Sequence, residues 1–398
     1  QRHGHHREYA LKPVFPYFSV ALVMGVALSL LGPSVSYLED RLNVSTGVIG
    51  ILFALVAIGN FVGALLGGRW ITRWTGHQVL HVGIVSFAVG TVLLAISEKF
   101  IVACLAVALI GAATGMADTA MNTMVVWARS GRSGPALNAL HLMFGVGALF
   151  APLIVDRSLA WTDSLWLAVV VVTALAITAA CIVGRREAPQ HPVHSADVIR
   201  PQLPRRTVLV VSVFFMLYIG GEVGFGGWIF TYAEEIGMAG SLPALVTAAF
   251  WGAFCLGRLV AIPVSGRVRP LLVVFSACAL SVVALAVMIV GSGEIWTVWL
   301  GSALFGFAAG PQYPTMLAMV DDKLSLSASA TSWIVGAAAV GGLIVPTSIG
   351  PLIDSRGSDS MPVVVLIVCA LSLLWVLVVQ RSINRAHALH RTGVIHQQ

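Results

Sequence analysis

Charge is what this chain has least of. Only 10% of its 398 residues are Asp, Glu, Lys or Arg, against 58% hydrophobic, and a water-soluble domain with that balance would carry a largely apolar surface. Several function classes fall with it. No glycine-rich phosphate loop, no metal-ligand spacing of His, Cys and carboxylates, and no nucleophile elbow occurs, so the chain bears no signature of an enzyme and implies no cofactor. The cysteines, Cys104, Cys181, Cys255, Cys278 and Cys369, all fall inside apolar runs without paired spacing and read as small apolar filler. The runs are continuous, lacking the alternation of barrel strands, which excludes a β-barrel. The segment Gln1 to Lys12 is basic, with His3, His5 and His6, and has no apolar core. It reads as a solvated cytoplasmic tail and not as a signal peptide.

What is present is apolar length. Twelve stretches are long enough to cross a hydrocarbon core of about 30 Å as helices: approximately Val14 to Tyr37, Thr46 to Gly67, Val79 to Ile96, Ile101 to Trp127, Ala136 to Val155, Ser164 to Val183, Val208 to Ala233, Leu242 to Val264, Leu271 to Gly291, Ile295 to Val320, Ser327 to Ile353 and Met361 to Val379. The chain is therefore expected to be an all-α protein crossing a membrane many times. With both termini cytoplasmic, the inner segments hold 18 of the 23 basic residues, while the outer loops hold Arg41, Lys99, Arg157 and Arg356 and span 8 holds Arg258. That is a strong positive-inside bias and points to the plasma membrane of the cell, with lipid as the surrounding partner. The pI of about 9.3 then reports orientation, and nucleic-acid binding is a poor reading of it.

The segment Gly184 to Thr207, with Arg185, Arg186, Arg200, Arg205, Arg206 and several prolines, separates six spans from six. It reads as a cytoplasmic linker over 184–207, between a first bundle at 14–183 and a second at 208–379, with tails at 1–13 and 380–398. The halves are related. GNFVGALLGGR (Gly59 to Arg69) in span 2 matches GRLVAIPVSGR (Gly257 to Arg267) in span 8, at an offset of 257 − 59 = 198. Span 4 matches span 10 with Gly111 on Gly306 and Gly115 on Gly310, and span 5 matches span 11 with Pro152 on Pro346, at offsets of 195 and 194. Three matches in order indicate a duplicated six-helix unit.

The chain thus resembles the major facilitator superfamily, which implies twelve transmembrane helices in two pseudo-symmetric six-helix bundles. The loop after span 2 carries a degenerate form of that superfamily's signature: Gly68, Thr72 where an acid is usual, Arg73, Gly76, and His77 where Arg is usual. Loss of the acid implies a weaker or differently made latch. Within the superfamily, the segments Gly115 to Asn122, Leu137 to Leu149 and Tyr218 to Ala233 are similar to the fucose:proton symporter branch and its sodium–glucose transporter-like relatives. That branch carries an acid in span 1, whereas span 1 here has none before Glu39.

Four ionisable residues lie deep in the apolar runs: Asp118, His141, Glu222 and Arg258. A charged one costs roughly 2.5 to 3.5 kcal/mol to insert, so each asks for a reason. Asp118 and Asn122 are spaced i, i+4 on one helix face, and the resemblance places Asp118 where the branch has a coupling carboxylate; the other reading is a helix-to-helix hydrogen bond. Asn138 and His141 lie i, i+3 on span 5 and could complete the cluster, with His141 donating to a solute hydroxyl or sharing a proton with Asp118. Glu222 sits among Gly220, Gly221, Gly224, Gly226 and Gly227, glycines that serve either helix opening or helix packing. Its carboxylate reads as a solute or cation ligand. Trp228 and Tyr232 are suited to stacking on a sugar or to anchoring at the interface. Gln312 and Tyr313, at the repeat positions of Ala117 and Asp118, are expected to line the same cavity. Arg258, the repeat partner of Asn60, reads as gating or structural, as do Asn60 and Arg73.

Two functions fit. One is secondary transport of a small polar solute, a sugar above all, coupled to a proton or Na⁺ by a monomeric carrier. The other is proton-driven export of amphipathic compounds or lipids, against which the polar set Asn122, Asn138, His141 and Gln312 argues.

Overall fold

The computed structural model describes residues 14–129, 134–189, 204–265, 267–323 and 328–391, and among them there is no strand. The N-terminal tail with its histidines and the middle of the linker lie outside the described residues. The first span is interrupted: helix α1 (Phe15–Ser29) passes through a 3₁₀ turn (Gly32–Ser34) into α2 (Val35–Leu42). Pro33 accounts for the break, since its ring and missing N–H cannot continue an α-helix. Asn43 then ends α2 in the left-handed region, at φ 51°.

The remaining spans are single helices: α3 (Thr46–Trp70), α4 (Gly76–Ala95), α5 (Phe100–Arg129), α6 (Gly134–Thr162), α7 (Trp166–Gly184), α8 (Arg205–Glu235), α9 (Leu242–Ser265), α10 (Pro270–Val290), α11 (Ile295–Lys323), α12 (Ala328–Arg356) and α13 (Ser360–Arg391). Their starts use ordinary signals. Thr75 and Gln78 form a reciprocal capping box ahead of α4, and Pro270 opens α10 where its missing donor costs nothing. Counting α1 with α2 as one crossing, eleven of the described crossings are long and apolar enough to span a membrane. Helix α11 is long but falls short in hydropathy, because Gly310, Pro311, Gln312, Tyr313 and Pro314 interrupt it. Large aliphatic side chains such as Ile101, Leu105, Val170 and Leu374 point outward, as lipid-facing residues do, and Trp161, Trp296 and Trp333 are exposed near helix ends.

Two expected boundaries move. Helix α6 runs on from Val155 to Thr162, and α13 runs on from Val379 to Arg391 through the start of the expected tail. In that extension Ile383 and Ala386 are buried, and Gln380 Nε2 donates to Asn384 Oδ1 at 3.0 Å. An amphipathic face of good helix formers carries the helix past the apolar run.

The chain divides into two compact units, one from the start to Ser45 and from Ile51 to Ser195, the other Thr46–Gly50 and from Ala196 onward. Within the first, α1 packs on α6 and α7, and α4 packs on α5 and α7. Within the second, α8 packs on α12 and α13, and α10 packs on α11 and α13. These are the same pairings one duplication apart. Several glycines of the repeat, with others on the same faces, make the contacts. A Cβ on Gly25 would overlap the Phe144 carbonyl oxygen and one on Gly147 that of Leu22; Gly341, the repeat partner of Gly147, meets Met216 O in the same way. Between α3 and α5, Gly63 abuts Ala112, Gly111 abuts Val56 and Gly115 abuts Asn60, while between α9 and α11 Gly257 abuts Phe307 and Gly306 abuts Phe250. Such backbone-to-backbone contact is how helices associate where lipid is as apolar as their own side chains.

Pro311 explains one of these contacts further. It removes the donor that would have bonded Phe307 O, and that carbonyl is the one resting on Gly257 of the neighbouring helix.

Candidate functional site

Each unit holds a polar centre on one of its long helices. In the first it is on α5, where Asn122 Nδ2 donates to both the Oδ1 and the backbone carbonyl of Asp118, each at 2.9 Å. Both residues are half-buried. The i, i+4 spacing puts them together, and the pair is local to its own helix. Asn138 and His141 lie on α6, which packs beside α5; Asn138 is exposed and His141 half-buried. Asn60, also half-buried, gives its backbone carbonyl to the close contact with Gly115.

His77 is buried, with 8% of its surface exposed, and its Nε2 pairs with the Tyr17 hydroxyl of α1 at 3.0 Å. One turn on, His81 bonds the carbonyls of His77 and, at 3.2 Å, Ala180 of α7. An aromatic and imidazole network therefore ties α1, α4 and α7 together. Thr72 bonds only locally, to Arg69 O at 2.7 Å. Arg73 is exposed in the same turn.

The second centre surrounds Glu222 on α8. Tyr218, one turn earlier on the same face, donates to Ala309 O of α11 at 3.1 Å, and its hydroxyl also faces Glu222 and Arg258. Arg258 of α9 attracts the Glu222 carboxylate and lays its guanidinium over the Phe254 ring, 4.5 Å from the centroid. Glu222 is only 8% exposed.

Several expected site residues are buried or packed within their own unit. Trp228 is fully buried and its indole N–H donates to Pro346 O of α12 at 2.8 Å. Tyr232 is fully buried as well, its hydroxyl facing Ser292 and Asp359. Neither ring offers a face for sugar stacking in this structure. Gln312 points into the interior of its own unit, 4% exposed, bonded to Ser281 Oγ at 3.0 Å and to Ala308 O at 3.1 Å. Tyr313 is half-buried, packed edge-on against Phe215 at 4.8 Å. The glycines around Glu222 are packing slots in an unbroken helix: Gly220 and Gly224 receive Val345, and Gly226 receives Trp251 and Phe250. Of their two readings, packing is the one seen.

Sequence reasoning passed over Tyr218, Ser281, Cys278 and Tyr17. Tyr218 had a signal, since it stands four residues before Glu222 on one face. Ser281 and Cys278 look like filler in an apolar run, yet the Cys278 thiol donates to Gln312 Oε1 at 3.3 Å.

The sequence profile of the Major Facilitator Superfamily matches residues 17–346, and the chain belongs to that superfamily: it is an all-α, multi-pass membrane transporter and not an enzyme. Among curated proteins it is similar to mouse (Mus musculus) sodium-dependent glucose transporter 1A, 22% identical over 376 residues covering 84% of this chain and 88% of that one. The human (Homo sapiens) sodium-dependent glucose transporter 1 is 22% identical over 83% of this chain and 71% of its own. Human major facilitator superfamily domain-containing protein 4A is 24% identical, covering 88% of both. Among solved structures, a mutant of the nucleoside transporter NupG superposes with a TM-score of 0.69 at 14% identity, covering 92% of this chain and 99% of that one. That likeness speaks for the fold.

Proposed function

We propose that the protein is a secondary active transporter that carries a sugar-like neutral solute together with Na⁺ or a proton by alternating access. It works as a monomer in the plasma membrane with both termini in the cytoplasm. The sugar reading draws on the curated relatives named as sodium-dependent glucose transporters. The orientation draws on the distribution of Lys and Arg.

One observation carries the coupled mechanism: Asp118 lies half-buried mid-helix, held by its neighbour Asn122. Asn122 satisfies one carboxylate oxygen without neutralising the charge, which leaves the group able to bind and release a cation. Asn122, Asn138 and His141 of the first unit supply the alternating donors and acceptors that sugar hydroxyls require. Asp118→Asn keeps size and hydrogen bonding while removing the charge. In proteoliposomes it should abolish gradient-driven accumulation of sugar yet retain counterflow exchange. Full accumulation by this variant would remove Asp118 from the coupling step, and failure of every sugar to exchange would refute the substrate class.

A further inference from the structure

We infer a binding site for one small monovalent cation, sodium by size, inside the second unit, ligated by Glu222, Gln312 and Ser281. A cavity opens here among α8, α10, α11 and α13, lined by these three residues with Tyr218, Cys278 and Ser372, and it has room for about one water-sized body. Glu222 Oε2 is buried in it without a hydrogen-bond partner among the described residues. A carboxylate oxygen so placed costs several kcal/mol unless something positive or donating meets it.

Most neighbouring donors are committed: Ser281 gives its proton to Ala277 O at 3.1 Å and both amide hydrogens of Gln312 go to Ala308 O and Ser281. The Tyr218 hydroxyl is shared between Ala309 O and the Glu222 side chain, which leaves Oε2 unmet. The backbone carbonyl of Ala308 accepts only, which fixes Gln312 with its nitrogen there and its oxygen toward the cavity. That oxygen meets only the Cys278 thiol, a weak donor. The cavity is thus lined by oxygen lone pairs with few hydrogens to meet them, which is the environment of a hard cation. One carboxylate is too little charge for the divalent ions that gather several. The volume excludes a cation that keeps its hydration shell.

Arg258 gives the site a consequence. It attracts the same carboxylate from α9, so a cation at Oε2 weakens that attraction and occupancy is felt on a different helix. The cation site stands on the cavity alone; its use as the coupling site rests on the transport reading above.

The test measures thermal unfolding of the purified protein, without sugar, in sodium, lithium, potassium or choline chloride at constant ionic strength. A ligand that binds the folded state raises Tm in a saturable way. Sodium and lithium are expected to do so, and potassium and choline are not. Glu222→Gln should lose the response. Ser281→Ala, which changes one neutral ligand, should raise the half-saturating sodium concentration by roughly tenfold. No cation-specific shift, or a Glu222-dependent shift produced by acid alone, would overturn the inference and leave water or a proton in the cavity. A sodium response lost in Asp118→Asn but kept in Glu222→Gln would overturn it by moving the site to the first unit. Because no sugar is present, failure of the sugar reading leaves this result untouched.

Discussion

The contact between Gly63 and Ala112 allows a sharp test of how the first unit is held together. A Cβ on Gly63 would have as its three nearest neighbours the carbonyl oxygen, carbonyl carbon and Cα of Ala112, all backbone, so no side-chain rotation can relieve the overlap and α3 and α5 must move apart. Overpacking of this kind typically costs 1–3 kcal/mol, and about 3 is expected where the obstacle is backbone. Opposing it is the better helix propensity of alanine, about 1 kcal/mol. The clash wins by about 2 kcal/mol. Gly68 on the same helix is the control, because nothing lies within 4 Å of the position its Cβ would take. Gly68→Ala should therefore hold or raise stability by about 0.5–1 kcal/mol. Thermal unfolding of both variants in one detergent reads the difference directly, with Gly63→Ala several degrees below the parent and Gly68→Ala at or above it. A Gly63→Ala protein as stable as the parent would refute the claim that the glycine seam sets the spacing of these helices.

Other outcomes follow from single contacts. Tyr17→Phe removes the hydroxyl that meets buried His77 at 3.0 Å and should cost about 1–3 kcal/mol of stability; a double-mutant cycle with His77→Phe should show coupling between the two, and additivity would refute the latch. Trp228→Phe removes the indole donor to Pro346 O and should cost about 1 kcal/mol, read as a lower Tm. Loss of sugar affinity with no change in Tm would make Trp228 a solute contact instead. Asn122→Ala leaves the Asp118 carboxylate without its Nδ2 donor, and uptake against counterflow should show coupling impaired more than exchange.

The fold was legible because its signals are long. Apolar runs of span length, the basic residues between them and the glycines repeating at offsets of 194 to 198 each report something the bilayer imposes on a whole helix, and Gly111, Gly115, Gly257 and Gly306 among those glycines reappear as contact points. Asp118 with Asn122 was legible for the same kind of reason, a spacing within one helix. Rotation about the helix axis was not. Whether Gln312 or Trp228 faces inward depends on what each neighbouring helix offers, and Ser281 and Pro346 O are partners that no local pattern announces. Helix ends strayed for a related reason: α13 continues to Arg391 on an amphipathic face that a search for apolar length does not count.

Helix α11 has a consequence for the making of the protein. Its interior prolines and Gln312 leave it less apolar than its neighbours, so it partitions into lipid less readily when it leaves the translocation channel alone. Gln312 is satisfied only once Ser281 of α10 is beside it, which makes α11 dependent on a helix synthesised just before it. Lesions at Ser281 or Gln312 should therefore appear first in the cell as missing protein, cleared by quality control during biogenesis, before any altered turnover can be measured.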